Sequence, residues 1–244
     1  MVSEMEIVVR QNPSFSVARV QLSPGERVQA ESGAMMAMSA GVVLEARAEG
    51  GVLKSLKRAA LGGESLFIST YTAPSGGGFV DLAARLPGDM TVQLATNEMP
   101  IFISRGCWLG NEPTVRLDTK WGGFKNLFGS EGGFILRTEG QGQVVIACYG
   151  ALEEWNLASG ETITVDSGHM VAYEASVQMA IRKATGGIVQ MFKSGEGLVL
   201  DFQGPGRVWT QTRNPQELVG WLASVLPSGQ QGGGGVLGGM MGRN

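Results

Sequence analysis

At 244 residues and 25.7 kDa, the chain can bury a sizeable core, as one large β unit or as two smaller domains. Glycine supplies 38 residues, about 16% against a usual ~7%, yet there is no G-X-Y period and 43% of residues are hydrophobic, which excludes collagen and a disordered chain. A net charge of −3 argues against a broad cationic face for nucleic acid, and two cysteines with one histidine leave too little for a zinc or iron–sulfur site, so no metal and no cofactor is expected.

In chain order, Met1 to Arg10 carries Glu4 and Glu6 and has no basic start followed by an apolar run, so no signal peptide is expected. No stretch reaches the roughly 18 apolar residues of a membrane span. Cys107 and Cys148 read as free buried thiols, and the expected compartment is cytoplasmic. Ser23-Pro24-Gly25 is a turn, Val42–Arg47 a strand, and Lys54 to Leu61 a short helix or turn with Lys54, Lys57 and Arg58 on one side. Leu86-Pro87-Gly88, Glu139–Gly142 and Gln203–Gly206 are further turns, spaced among the strands Gln143–Tyr149, Val177–Arg182 and Arg207–Thr212. One helix closes the ordered pattern at about 214–226: Asn214 caps it, Pro215 takes its first position, and Leu218, Trp221, Leu222, Val225 and Leu226 form an apolar stripe. A Gly-rich tail follows over 230–244.

The chain repeats itself. Pro24-Gly25-Glu26 and Glu31-Ser32-Gly33-Ala34-Met35 recur 135 positions later as Ser159-Gly160-Glu161 and Asp166-Ser167-Gly168-His169-Met170. A weaker middle copy starts at Pro87-Gly88-Asp89 and runs to Thr96-Asn97-Glu98-Met99. Paired glycines (Gly50-Gly51, Gly122-Gly123, Gly186-Gly187), lysine-containing segments and a Gly/Ser-Glu step with Glu64, Glu131 and Glu196 then recur at about 65–70 residues. The expected architecture is all-β, with three pseudo-symmetric repeats at about 22–85, 86–156 and 157–213, sandwich- or barrel-like, and one C-terminal helix in a single domain over 1–229.

Five of these stretches also resemble a known family. They are Gly50-Gly51 with Leu56-Lys57-Arg58 and Gly63–Phe67, then Asp118–Lys125, Ser167–Tyr173, Ser194–Val199 and Gly204–Asn214. In this order, over about residues 24–226, the chain resembles the bacterial family related to the yeast "altered inheritance of mitochondria" protein twenty-four. The resemblance implies a β fold related to the tryptophan RNA-binding attenuation protein, internal threefold pseudo-symmetry and a homotrimer. The mitochondrial relatives are linked to inner-membrane organisation and respiratory-complex assembly. No transit peptide is expected here, since Met1–Gln21 holds two acids and only Arg10 and Arg19.

Few residues offer chemistry. Ser167 and His169 would share a strand face like a nucleophile and its base, with Asp166 adjacent, but they align with Ser32 and Ala34 in a turn that the fold repeats. Glu64, Glu131 and Glu196 recur at a strand start, suited to accepting backbone N–H bonds or, near a threefold axis, to lining a pore or an interaction surface. Gly187–Ser194 fails as a phosphate loop because Phe192 stands where glycine is needed. Lys54, Lys57, Arg58, Lys120 and Lys125 are the best basic contacts. The methionines, among them Met35, Met36 and Met38, read as adaptable core filler. The favoured function is a non-enzymatic scaffold or interaction protein that pairs with itself and with an unnamed protein partner in membrane-complex or envelope organisation; peripheral membrane association stays open. RNA binding is the first alternative and a hydrolase using Ser167 and His169 the second.

Overall fold

The computed structural model describes residues 5–48, 67–118, 135–183 and 198–226. The strands follow one plan three times. The first repeat consists of β2 (Val17–Leu22), β3 (Arg27–Glu31), β4 (Met35–Met38), β5 (Val43–Ala48), β6 (Phe67–Thr72) and β7 (Gly78–Ala83), with β1 (Glu6–Arg10) ahead of it. The second consists of β8 (Met90–Ala95), β9 (Ile101–Ser104), β10 (Trp108–Asn111), β11 (Val115–Asp118), β12 (Ile135–Gly140) and β13 (Gly142–Ala147). The third consists of β14 (Leu152–Leu157), β15 (Thr162–Asp166), β16 (Met170–Glu174), β17 (Gln178–Lys183), β18 (Leu198–Gln203) and β19 (Gly206–Gln211).

Four antiparallel pairings recur in every repeat: first strand with sixth, third with sixth, second with fifth, and fourth with fifth. Each repeat therefore contributes to two sheets. Consecutive repeats are stitched by a further pairing, the second strand of one against the third of the next. Gln29 and Ala30 of β3 face Asn111 and Gly110 of β10, and Phe102 and Ile103 of β9 face Tyr173 and Ala172 of β16. The resulting sheets run β1-β2-β7-β4, β5-β6-β3-β10-β13-β8, β11-β12-β9-β16-β19-β14 and β15-β18-β17, and no barrel closes among the described residues. Among the described residues the all-β expectation with a single C-terminal helix holds.

Local chemistry explains the repetition. The turn between the first and second strands is a four-residue one with a positive-φ glycine third, Gly25 at 73° and Gly160 at 80°, as a type II turn requires. The following glutamate locks it: Glu26 and Glu161 accept the N–H of Ser23 and Ala158 at 2.7 and 2.8 Å. In the second repeat the equivalent turn is Thr96–Met99, where the Thr96 hydroxyl accepts the Met99 N–H at 3.0 Å instead. Pro87-Gly88-Asp89 is therefore not the middle copy of Pro24-Gly25-Glu26; it precedes β8 and pairs with the Cys148–Gly150 segment. A β-bulge falls at the same place in all three third strands, at Met36, Leu109 and Val171.

Among the described residues three apolar cores form, one centred on each repeat. The buried tryptophans meet partners: Trp108 Nε1 donates to Asn111 Oδ1 at 2.9 Å and Trp209 Nε1 to Glu154 Oε2 at 2.7 Å. The helix α1 (Pro215–Val225) belongs to a separate C-terminal unit, carries Glu217 in its first turn, and buries none of its residues.

Candidate functional site

The acidic candidates Glu64, Glu131 and Glu196 and the basic candidates Lys54, Lys57, Arg58, Lys120 and Lys125 all lie outside the described residues. In the chain they fall between the fourth and fifth strands of the three repeats.

Ser167 and His169 sit in a single 3-10 turn between β15 and β16. That turn is a structural joint. Asp166 Oδ1 accepts the Gly168 N–H at 2.8 Å, and Gln211 Nε2 donates to the Gly168 carbonyl at 2.9 Å. His169 Nδ1 lies 2.7 Å from the Gln211 carbonyl oxygen, which can only accept, so Nδ1 carries the proton and is occupied. Among the described residues no hydrogen bond joins the Ser167 hydroxyl to His169.

Cys107 and Cys148 are both free and buried. Burial pushes the Cys107 thiol up to about 12 and Cys148 up to about 11. Such thiols are protonated at neutral pH and poor nucleophiles. Among the described residues no three His, Cys, Asp or Glu side chains are grouped to hold a metal, and no helix is long and apolar enough to cross a membrane. An open groove of about 730 Å³ lies at the junction of the first two repeats, lined by Met5, Glu26, Arg27, Leu94, Glu112 and Pro113 among others.

The feature that departs most from the repeat plan is at the two ends of the array. Inside the chain, each second strand that has a following repeat pairs with that repeat's third strand. The last second strand, β15, and the first third strand, β4, are sheet edges. The three-stranded sheet β15-β18-β17 and the four-stranded sheet β1-β2-β7-β4 are thus the two halves of the six-stranded series found elsewhere, split at the stitch, with β1 added at one margin. Side chains mark the same split. The bulge residues Leu109 and Val171, at internal stitches, are 2% and 0% exposed, whereas the equivalent Met36 on β4 is 53% exposed. An edge strand offers unpaired N–H and C=O groups, so these two edges are equipped for strand addition. The sequence reading missed this site. The signal was the methionine-rich Met35–Met38 segment, apolar at a position that its repeat neighbours bury.

Comparisons with known proteins follow this architecture along most of the chain. The chain is 27% identical over 234 residues to an uncharacterised protein of Streptococcus pyogenes serotype M6, covering 93% of each. A Streptococcus pyogenes protein solved by X-ray crystallography superposes with a TM-score of 0.76 at 26% identity, covering 91% of this chain and 100% of that one. The family described as mitochondrial biogenesis AIM24 matches residues 7–213, and with the threefold β plan running through that whole span, the chain belongs to the AIM24 family.

Proposed function

We propose that this protein is a non-enzymatic scaffold whose first partner is a second copy of itself. β15 of one copy pairs with β4 of the next, head to tail, and three copies close a ring. The observation that carries this reading is the matched pair of open edges, with Met36 exposed where Leu109 and Val171 are buried. A heterologous contact of this kind leaves one β4 and one β15 edge open at the ends of a filament and covers every β4 and β15 edge in a closed ring. The internal stitches also fix the register. Ile103 faces Ala172 and Phe102 faces Tyr173 in β9 and β16, so the equivalent residues put Val165 opposite Ala37 and Thr164 opposite Met38. A ring repeats every other surface of the chain three times, which strengthens binding to a multivalent partner without any new contact.

Native mass spectrometry tests it. The wild-type protein is expected at three times 25.7 kDa. Met36→Lys is expected at the mass of one chain with an unchanged circular dichroism spectrum, since the side chain is exposed in the single copy. Val43→Lys, on the outer strand β5 and also exposed, is expected to leave the trimer intact. A wild-type protein that stays single at all concentrations, or a Met36→Lys trimer, overturns the assembly. A saturable metabolite turnover by the purified protein overturns the non-enzymatic reading.

A further inference from the structure

The strand edges give affinity without choosing a partner; a side-chain contact beside them must supply the choice. At the junction of the second and third repeats, the second residue of the sixth strand, Arg207, reaches back to the fourth residue of the preceding repeat's first strand: Arg207 Nη1 donates to Gln93 Oε1 at 3.0 Å. At the junction of the first and second repeats the equivalent Gln143 instead donates to the Met5 carbonyl, just ahead of β1, and β1 lies along β2 with Ile7 opposite Val20. In the second repeat the fourth residue of the first strand is thus covered by a side chain of the repeat that follows. Gln93 is 8% exposed, whereas the equivalent Trp155 of β14 in the third repeat is 45% exposed; Val20, in the first repeat, is 0% exposed within that repeat's apolar core.

The residue equivalent to Arg207 and Gln143 in the first repeat is Phe79, second in β7. It is half-buried and already organised. Arg19 Cζ lies 3.9 Å from the Phe79 ring centroid, and the guanidinium is fixed in turn by two 2.8 Å bonds to Asp81. Trp155 is held as well, its Nε1 donating to Thr210 Oγ1 at 3.0 Å. We propose that Trp155 of one copy packs against Phe79 of the next, an aromatic clasp that selects this chain's own first repeat as the partner for its last. This rests on the head-to-tail reading, of which it specifies the second contact. Rigid aromatic side chains anchored before binding are the residues that dominate association energies.

A double-mutant cycle on the dissociation of the full-length assembly, followed by mass photometry, tests the clasp. Trp155→Ala and Phe79→Ala are each expected to weaken association by about 30-fold, and the double variant by little more than either single one. Melting curves of the same variants in a Met36→Lys background, where copies are separate, are expected to show Trp155→Ala close to its parent. Wild-type assembly with unchanged affinity in both single variants, or strictly multiplicative effects in the double variant, overturns the clasp and leaves the strand pairing standing. A wild-type protein that does not assemble removes the head-to-tail reading itself.

Discussion

Asp81 shows how much one buried carboxylate organises here. It is 3% exposed, and it receives Arg19 through two bonds of 2.8 Å and Arg10 at 2.9 Å, which ties β7 to β2 and to β1. The Arg19 bond, foremost, holds its carboxyl below the ordinary carboxylate range, against the opposing effect of burial. The folded chain therefore binds fewer protons than the unfolded chain between the lowered and the ordinary value. The stabilisation is complete above the ordinary value and disappears as pH falls through the lowered one. Because the two arginines are 40% and 36% exposed, Asp81→Asn is expected to cost about 2 kcal/mol at neutral pH, less than a fully buried pair. Urea unfolding of both proteins from pH 7 down to pH 3 checks this: the gap is expected to narrow toward acid, and a gap that widens contradicts the assignment.

At the scale of strands and turns, the repeats are held by glycines in two different ways. Gly160 has φ 80° but open space where a Cβ would stand. Gly206, first residue of β19, has φ 137°, and a Cβ there would collide with Ser176 Oγ and approach Val177 Cγ2 at 2.8 Å. Gly160→Ala is therefore expected to cost about 1 kcal/mol, from backbone strain alone, and Gly206→Ala about 3 kcal/mol, from strain and overlap together. Denaturant titration of the two variants ranks them; equal losses would mean that the close passage at Gly206 does not govern stability. The same elements show what could be read from the sequence. Pro24-Gly25-Glu26 and Ser159-Gly160-Glu161 were legible because a turn is local: glycine supplies the positive φ and glutamate the return bond within four residues. The middle copy was not legible, because Thr96 performs the locking without glycine, and Pro87-Gly88-Asp89 imitates the motif one strand too early. Gly78, Gly142 and Gly206 begin the three sixth strands at equal spacing, a signal that was present and passed over among 38 glycines.

For the whole molecule, the open edges could not be read from residue order. Whether a strand is an edge depends on what pairs with it, and β4 and β15 lie more than a hundred positions apart in the sequence. Only the sheet order reveals that one sheet has lost the half that another sheet, at the far end of the array, displays. The proposed pairing of copies along these edges would store part of the stability between them. The protein's thermal midpoint is expected to rise with protein concentration, because association removes folded chains from the unfolding equilibrium. Met36→Lys is expected to melt at one temperature whatever its concentration, as is any variant that blocks the stitch without touching the cores. Calorimetry across a hundredfold concentration range separates the two cases. A wild-type midpoint that does not move would mean that the exposed β4 edge is stable uncovered, and the energetic reason for closing a ring would be gone. A midpoint that rises while the mass forms an open-ended series would instead mean that the repeat-to-repeat rotation fails to close, and that the same seam builds filaments.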